Sequence, residues 1–155
     1  MRTQRDKQVK ITECSVDDLC AGIGNLAEEL WLEVEGDSRF DLSIDWSTYH
    51  ELESDHELVV LIATRDWAIV GFSVTVLYNP IHSDTVLVGV NSALFLQKEY
   101  RGGGLGSRLI LATESAVRRQ GAKMMSWRAK PGTSMAHVMD KAGYEVDYIT
   151  YSRSI

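Results

Sequence analysis

Arg101-Gly102-Gly103-Gly104-Leu105-Gly106-Ser107 is the stretch on which the reading of this 155-residue chain turns. Residues 91–96 before it read as a strand, and residues 105–120 after it read as a helix. Glycines at a strand-to-helix turn let successive backbone N–H groups converge on one point. The helix N-terminus adds partial positive charge there. The combination predicts an anion cradle suited to a pyrophosphate.

Three glycine-rich patterns compete for this stretch. A Walker A loop places Lys after its last glycine to reach the outer phosphates. Leu105-Gly106-Ser107 carries no Lys, which excludes it. A dinucleotide fingerprint needs Gly-x-Gly-x-x-Gly early in a βαβ unit. Counted from Gly102, the sixth position is Ser107, and no βαβ pattern comes earlier. The third pattern, Arg-x-x-Gly-x-Gly, is met without a gap by Arg101, Gly104 and Gly106. It resembles the acetyl-CoA pyrophosphate loop of the GNAT family of N-acetyltransferases. The lead-in Leu94-Phe95-Leu96-Gln97-Lys98-Glu99-Tyr100 is similar to that family's fourth strand and turn.

Local signals extend the reading outward. Residues 9–14 alternate as a strand, and Ser15 with Asp18 forms a capping signature. Leu19, Ile23, Leu26 and Leu30 share one face of a helix that follows. Residues 33–40 are an acidic connector. Trp46, Tyr49 and Leu52 predict a second helix, capped by Ser43 or Asp45. Residues 58–63, 68–77 and 85–96 read as strands, with a loop at Asn79-Pro80. After the glycine stretch come a helix ending at Gly121, a strand over 123–128, a short helix to Lys141 capped by Thr133 or Ser134 with Gly143 past its end, and a last strand over 144–151.

This order matches the GNAT fold along nearly the whole chain. The expected architecture is therefore α/β (α+β): one domain over residues 1–155, with a mixed, mostly antiparallel sheet of about six strands flanked by about four helices. The family usually has a seventh strand, so the last strand here is expected to be an exposed edge or to pair with a partner in a homodimer. Tyr100-Arg101-Gly102-Gly103 and the Gly143-Tyr144 ending are similar to small bacteriophage-encoded members.

The resemblance implies direct transfer of acetyl from acetyl-CoA to a primary amine of a small molecule or protein. Gly102, Gly103, Gly104, Leu105, Gly106 and Ser107 would hold the pyrophosphate. Arg101 would either contact phosphate or brace the loop. The backbone of Leu94, Phe95 and Leu96 would meet the pantetheine arm and the thioester oxygen. Ser134, at the start of the last helix, is a further cofactor contact. The family's usual proton-donating Tyr falls on Met139, which has no proton to give. Tyr144 is the nearest substitute. His82, in the loop before the fourth strand, is the candidate base, and Asn91 and Ser92 are candidates to hold a water. Glu33, Glu35 and Asp37 could draw in a cationic acceptor or form a solvated charge run. The departure at Met139 motivates an alternative, a catalytically silent CoA-binding regulatory or interaction module.

Composition narrows the partners. Net charge is -6, which argues against nucleic acid. Arg118, Arg119, Lys123 and Arg128 could form a local basic patch. Residues 1–10 lack the apolar core of a signal peptide, and no run is long and apolar enough to span a bilayer. Cys14 and Cys20 suggest neither a disulfide framework nor reactive thiols, so both are expected in or near the core and the protein in the cytoplasm. The four His and two Cys have no metal-ligand spacing, and no metal is expected.

Overall fold

The computed structural model describes residues 8–36 and 40–155. Among them the chain runs β1 (Lys10–Glu13), α1 (Val16–Gly22), α2 (Leu26–Glu35), α3 (Trp46–Ser54), β2 (Leu58–Arg65), β3 (Ala68–Tyr78), β4 (Val88–Leu96), α4 (Leu105–Arg119), β5 (Met124–Ser126) and α5 (Ser134–Ala142). A 3-10 turn, Lys98–Tyr100, links β4 to the glycine stretch. The five strands lie in sequence order. β1 to β4 pair antiparallel, and β5 joins β4 in parallel.

The period of two along β2 builds the layers. Val60 packs with Val16, Leu19 and Leu26 of α1 and α2. Its neighbours Val59 and Leu61 pack on the opposite face with Leu109 and Val117 of α4. Trp46 and Tyr49 of α3 close the first layer. Helices α1–α3 therefore cover one face of the sheet and α4 covers the other. No helix among the described residues is long and apolar enough to cross a membrane.

Several local signals act as read. Ser15 Oγ accepts from Asp18 N–H, and the Asp18 carboxylate accepts from Ser15 N–H, closing a capping box. Asp45 caps α3 through Thr48 N–H and Thr133 caps α5 through Ala136 N–H. Gly143 ends α5 in the left-handed conformation.

Four expectations are corrected. The first helix is two helices, because Gly24 takes φ 51° and turns the chain between Ile23 and Leu26. This makes five α-helices rather than four. Residues 33–35 of the acidic connector are the last turn of α2, while Asp37 lies outside the described residues. The described sheet has five strands, since residues 144–151 form none. Their alternation of Tyr144, Val146 and Tyr148 suits a strand, but a strand also needs an edge to pair with, and β5, at the edge of the sheet, is only three residues long. Cys20 is exposed on α1 rather than packed in the core.

Candidate functional site

β4 and β5 pair only where Val88, Gly89 and Val90 meet Met124, Met125 and Ser126. Beyond Val90, β4 keeps β3 on one side, and no described strand accompanies it on the other. The two parallel strands therefore part into a cleft. One wall of it is a strand edge without a strand partner among the described residues, with N–H groups facing an extended polar ligand.

Strand alternation identifies which groups these are. Gln97 N–H donates to Val70 O on β3. Phe95, two residues back, is committed to the same side, so the backbones of Leu94 and Leu96 face the cleft. Arg101 Nε donating to Leu96 O at 2.6 Å agrees with this parity.

Between Thr75↔Asn91 and Val74↔Ala93 the register slips by one, leaving Ser92 as the extra residue of a β-bulge. Asn91 is 2% exposed. Its Nδ2 donates to Val74 O at 3.1 Å and Ala93 O at 3.0 Å, and lies 3.3 Å from Ser73 Oγ. The amide thus holds the bulge in shape, and Ser92 is presented outward, exposed.

The glycine stretch follows directly. Gly102 and Gly104 have φ of 85° and 89°, a conformation that favours glycine. Gly104 caps α4 without any side-chain bond, and Arg108 N–H to Gly104 O is the first turn-closing bond. The N–H groups of Leu105, Gly106 and Ser107 precede that ladder and need outside acceptors. Gly106 differs in its helical backbone, and, as at the other two, an added Cβ would meet none of the described residues within 4 Å. Nothing among the described residues requires glycine there, although it costs a helix about 1 kcal/mol relative to Ala. The space in front of it is suited to something that approaches the backbone closely.

Arg101 braces the loop. Its Nη2 lies 2.9 and 3.0 Å from the two carboxylate oxygens of Glu33 at the end of α2. The guanidinium also sits 5.4 Å from the Phe95 ring centroid. Lys98 Nζ adds a longer contact to Glu33, 3.9 Å. Across the cleft, Lys130 of the β5–α5 loop bonds to Val34 O and lies 3.3 Å from Glu35. Glu33 and Glu35 are thus paired with the chain's own cations rather than lying as a solvated run.

The remaining candidates have surroundings of their own. Tyr144 OH donates to Glu114 Oε1 at 2.6 Å, and Trp127 Nε1 donates to the same oxygen at 3.0 Å. Desolvation, and then the Glu114 carboxylate, push the Tyr144 phenol up to about 12, so its proton stays on and stays engaged. His82 is exposed on the loop before β4. At about 3.3 Å per residue, the first residue of β4, six residues after His82, is some 20 Å along the strand from Leu94. Ser134 is the first residue of α5 and lines a shallow concavity with Thr133, His137 and Asp140. Met139 is buried. Among the described residues, no group of three or more His, Cys, Asp or Glu could hold a metal ion.

Sequence reasoning did not single out Lys130 or Glu114, and it read Glu33 without its partner. Glu33 and Arg101 are 68 residues apart, and no local pattern joins them.

Residues 21–144 match the profile of the Acetyltransferase (GNAT) family. Solved structures are similar over nearly the full length. An aminoglycoside acetyltransferase, meta-AAC0020, from an uncultured soil metagenomic sample superposes with TM-score 0.75 at 17% identity, covering 98% of this chain and 99% of that one. A ribosomal-protein-alanine N-acetyltransferase from Brucella melitensis biovar Abortus 2308 gives TM-score 0.69 at 15% identity, covering 95% and 99%. A transcriptional regulator from Bacillus halodurans C-125 gives 0.73 at 16% identity, again covering 95% and 99%. A comparison with curated proteins found no match.

Proposed function

The chain belongs to the GNAT acetyltransferase family, and from that premise we propose that it carries acetyl from acetyl-CoA directly to a primary amine. One observation carries the donor half. The uncapped N-terminus of α4, with a helical glycine at 106 that no internal contact requires, stands beside the bare edge of β4. A pyrophosphate fits the first feature and an amide-bearing arm fits the second. An aminoglycoside N-acetyltransferase of the same fold was solved with CoA bound, at TM-score 0.69 and 17% identity.

In this reading the N–H groups of residues 102–107 hold the pyrophosphate, and Leu94 N–H stabilises the oxygen that becomes anionic as the amine attacks. The C–N bond forms, the C–S bond breaks, and the thiolate leaves with CoA. Ser92, presented by the bulge, holds the water that takes the amine proton. The main contribution is positioning, worth several kcal/mol when the reactants are held in line.

The acceptor half rests on charge. Residues 16–57 carry thirteen acidic residues against one Lys or Arg, Arg39. They supply α1–α3, which form one layer on the sheet. That layer favours a small cationic amine with several positive charges. Thiol release from acetyl-CoA, measured against a panel of polyamines, aminoglycosides and a peptide N-terminus, tests it. Turnover with the polycations supports the reading, and turnover with the peptide alone overturns the acceptor class.

A silent CoA-binding module is the second reading, favoured by Met139 at the usual donor position and by the engagement of Tyr144 with Glu114. CoA binding without thiol release across the whole panel would establish it.

A further inference from the structure

The end of α2 touches both arms of the cleft. On the β4 arm, Glu33 grips Arg101 with both carboxylate oxygens and has Lys98 nearby. On the β5 arm, Lys130 bonds to Val34 O and pairs with Glu35. Three consecutive residues of one helix therefore tie together two loops that the sheet itself leaves apart, since β4 and β5 pair only over Val88–Val90 and Met124–Ser126.

Glu33 and Arg101 are 31% and 29% exposed at their side chains, so solvent screens them less than a fully exposed pair. Arg101 is also fixed by Leu96 O and by the face of Phe95. Its geometry is that of a strut, with the guanidinium already committed before any ligand arrives.

We infer that the end of α2 is a strap across the donor cleft, and that Glu33 and Lys130 are positioning residues that set the separation of its two arms. The inference rests on the reading of the cleft as the acetyl-CoA site. The strap holds the glycine loop and the β5 arm at the spacing the ligand needs, so binding does not have to draw them together. It also joins the donor cleft to α2, part of the acidic layer proposed to receive the acceptor.

A strap fails when either end is released. Glu33→Gln and Lys130→Met each remove one attachment without touching the phosphate cradle. CoA affinity should fall about 5-fold in either variant, and the double variant should fall little further, because the span is already cut. Melting temperatures report whether each variant is folded; the KM for acetyl-CoA should rise in both, and in Lys130→Met, which lies outside the acidic layer, kcat should hold. Wild-type protein that binds CoA, with variants of unchanged affinity or with losses that multiply in the double variant, overturns the strap alone. Folded wild-type protein that does not bind CoA overturns the donor reading and the strap with it.

Discussion

The side-chain amide of Asn91 spans the bulge of β4, donating to Val74 O on the neighbouring strand and to Ala93 O two residues along its own. Because Asn91 is 2% exposed, water cannot replace those bonds. Asn91→Leu leaves two carbonyls buried without that donor and should destabilise the fold by about 2–3 kcal/mol. The bulge presents Ser92, so acetyl transfer should fall more than CoA binding does. Urea unfolding and parallel titration with CoA check both halves.

Tyr144 ties the end of α5 to α4 through Glu114. Tyr144→Phe should cost about 1 kcal/mol, the value of one half-exposed hydrogen bond to a carboxylate, and should leave kcat within about 3-fold. Folding raises the phenol from 10.0 to about 12. Its stabilisation is therefore complete below pH 10 and lost as pH climbs through 12. Wild type should lose stability across that window more steeply than the Phe variant in denaturant titrations at each pH. A larger kcat loss would place the phenol in proton transfer instead.

The two cysteines should differ sharply. Burial, with Asp18 and Glu53 adding to it, pushes the Cys14 thiol up to about 12, whereas Cys20 is exposed. At pH 8 Cys14 therefore stays a thiol. A chromogenic disulfide reagent should label one thiol quickly and the second only after denaturant is added. Fast labelling of both would show that α1 opens readily.

The glycine stretch was legible because everything it needs is local: a strand, glycines, then a helix within about thirty residues. The caps at Ser15, Asp45 and Thr133 were legible for the same reason. What escaped depends on tertiary placement. Arg101 admitted two readings until Glu33, 68 residues away, was found against it. Asn91 looked like a water ligand because a one-residue slip in register leaves no mark in sequence. Residues 144–151 have a strand's alternation, but pairing is a property of the neighbouring edge. The break at Gly24 was hidden because Leu19, Ile23, Leu26 and Leu30 keep helical spacing across it.

Gly106→Glu separates the needs of the fold from the needs of the ligand. An added Cβ at 106 meets none of the described residues, and both the helix position and its acidic preference near the N-terminus favour Glu. The free protein should be unchanged or about 1 kcal/mol more stable. The same carboxylate would stand where the pyrophosphate is proposed to bind. Calorimetric titration of wild type and Gly106→Glu with CoA, alongside their melting temperatures, is therefore the most direct test. Wild-type binding that is lost in an equally stable variant is the predicted result. Equal binding by both proteins would contradict the placement of the donor at the α4 N-terminus.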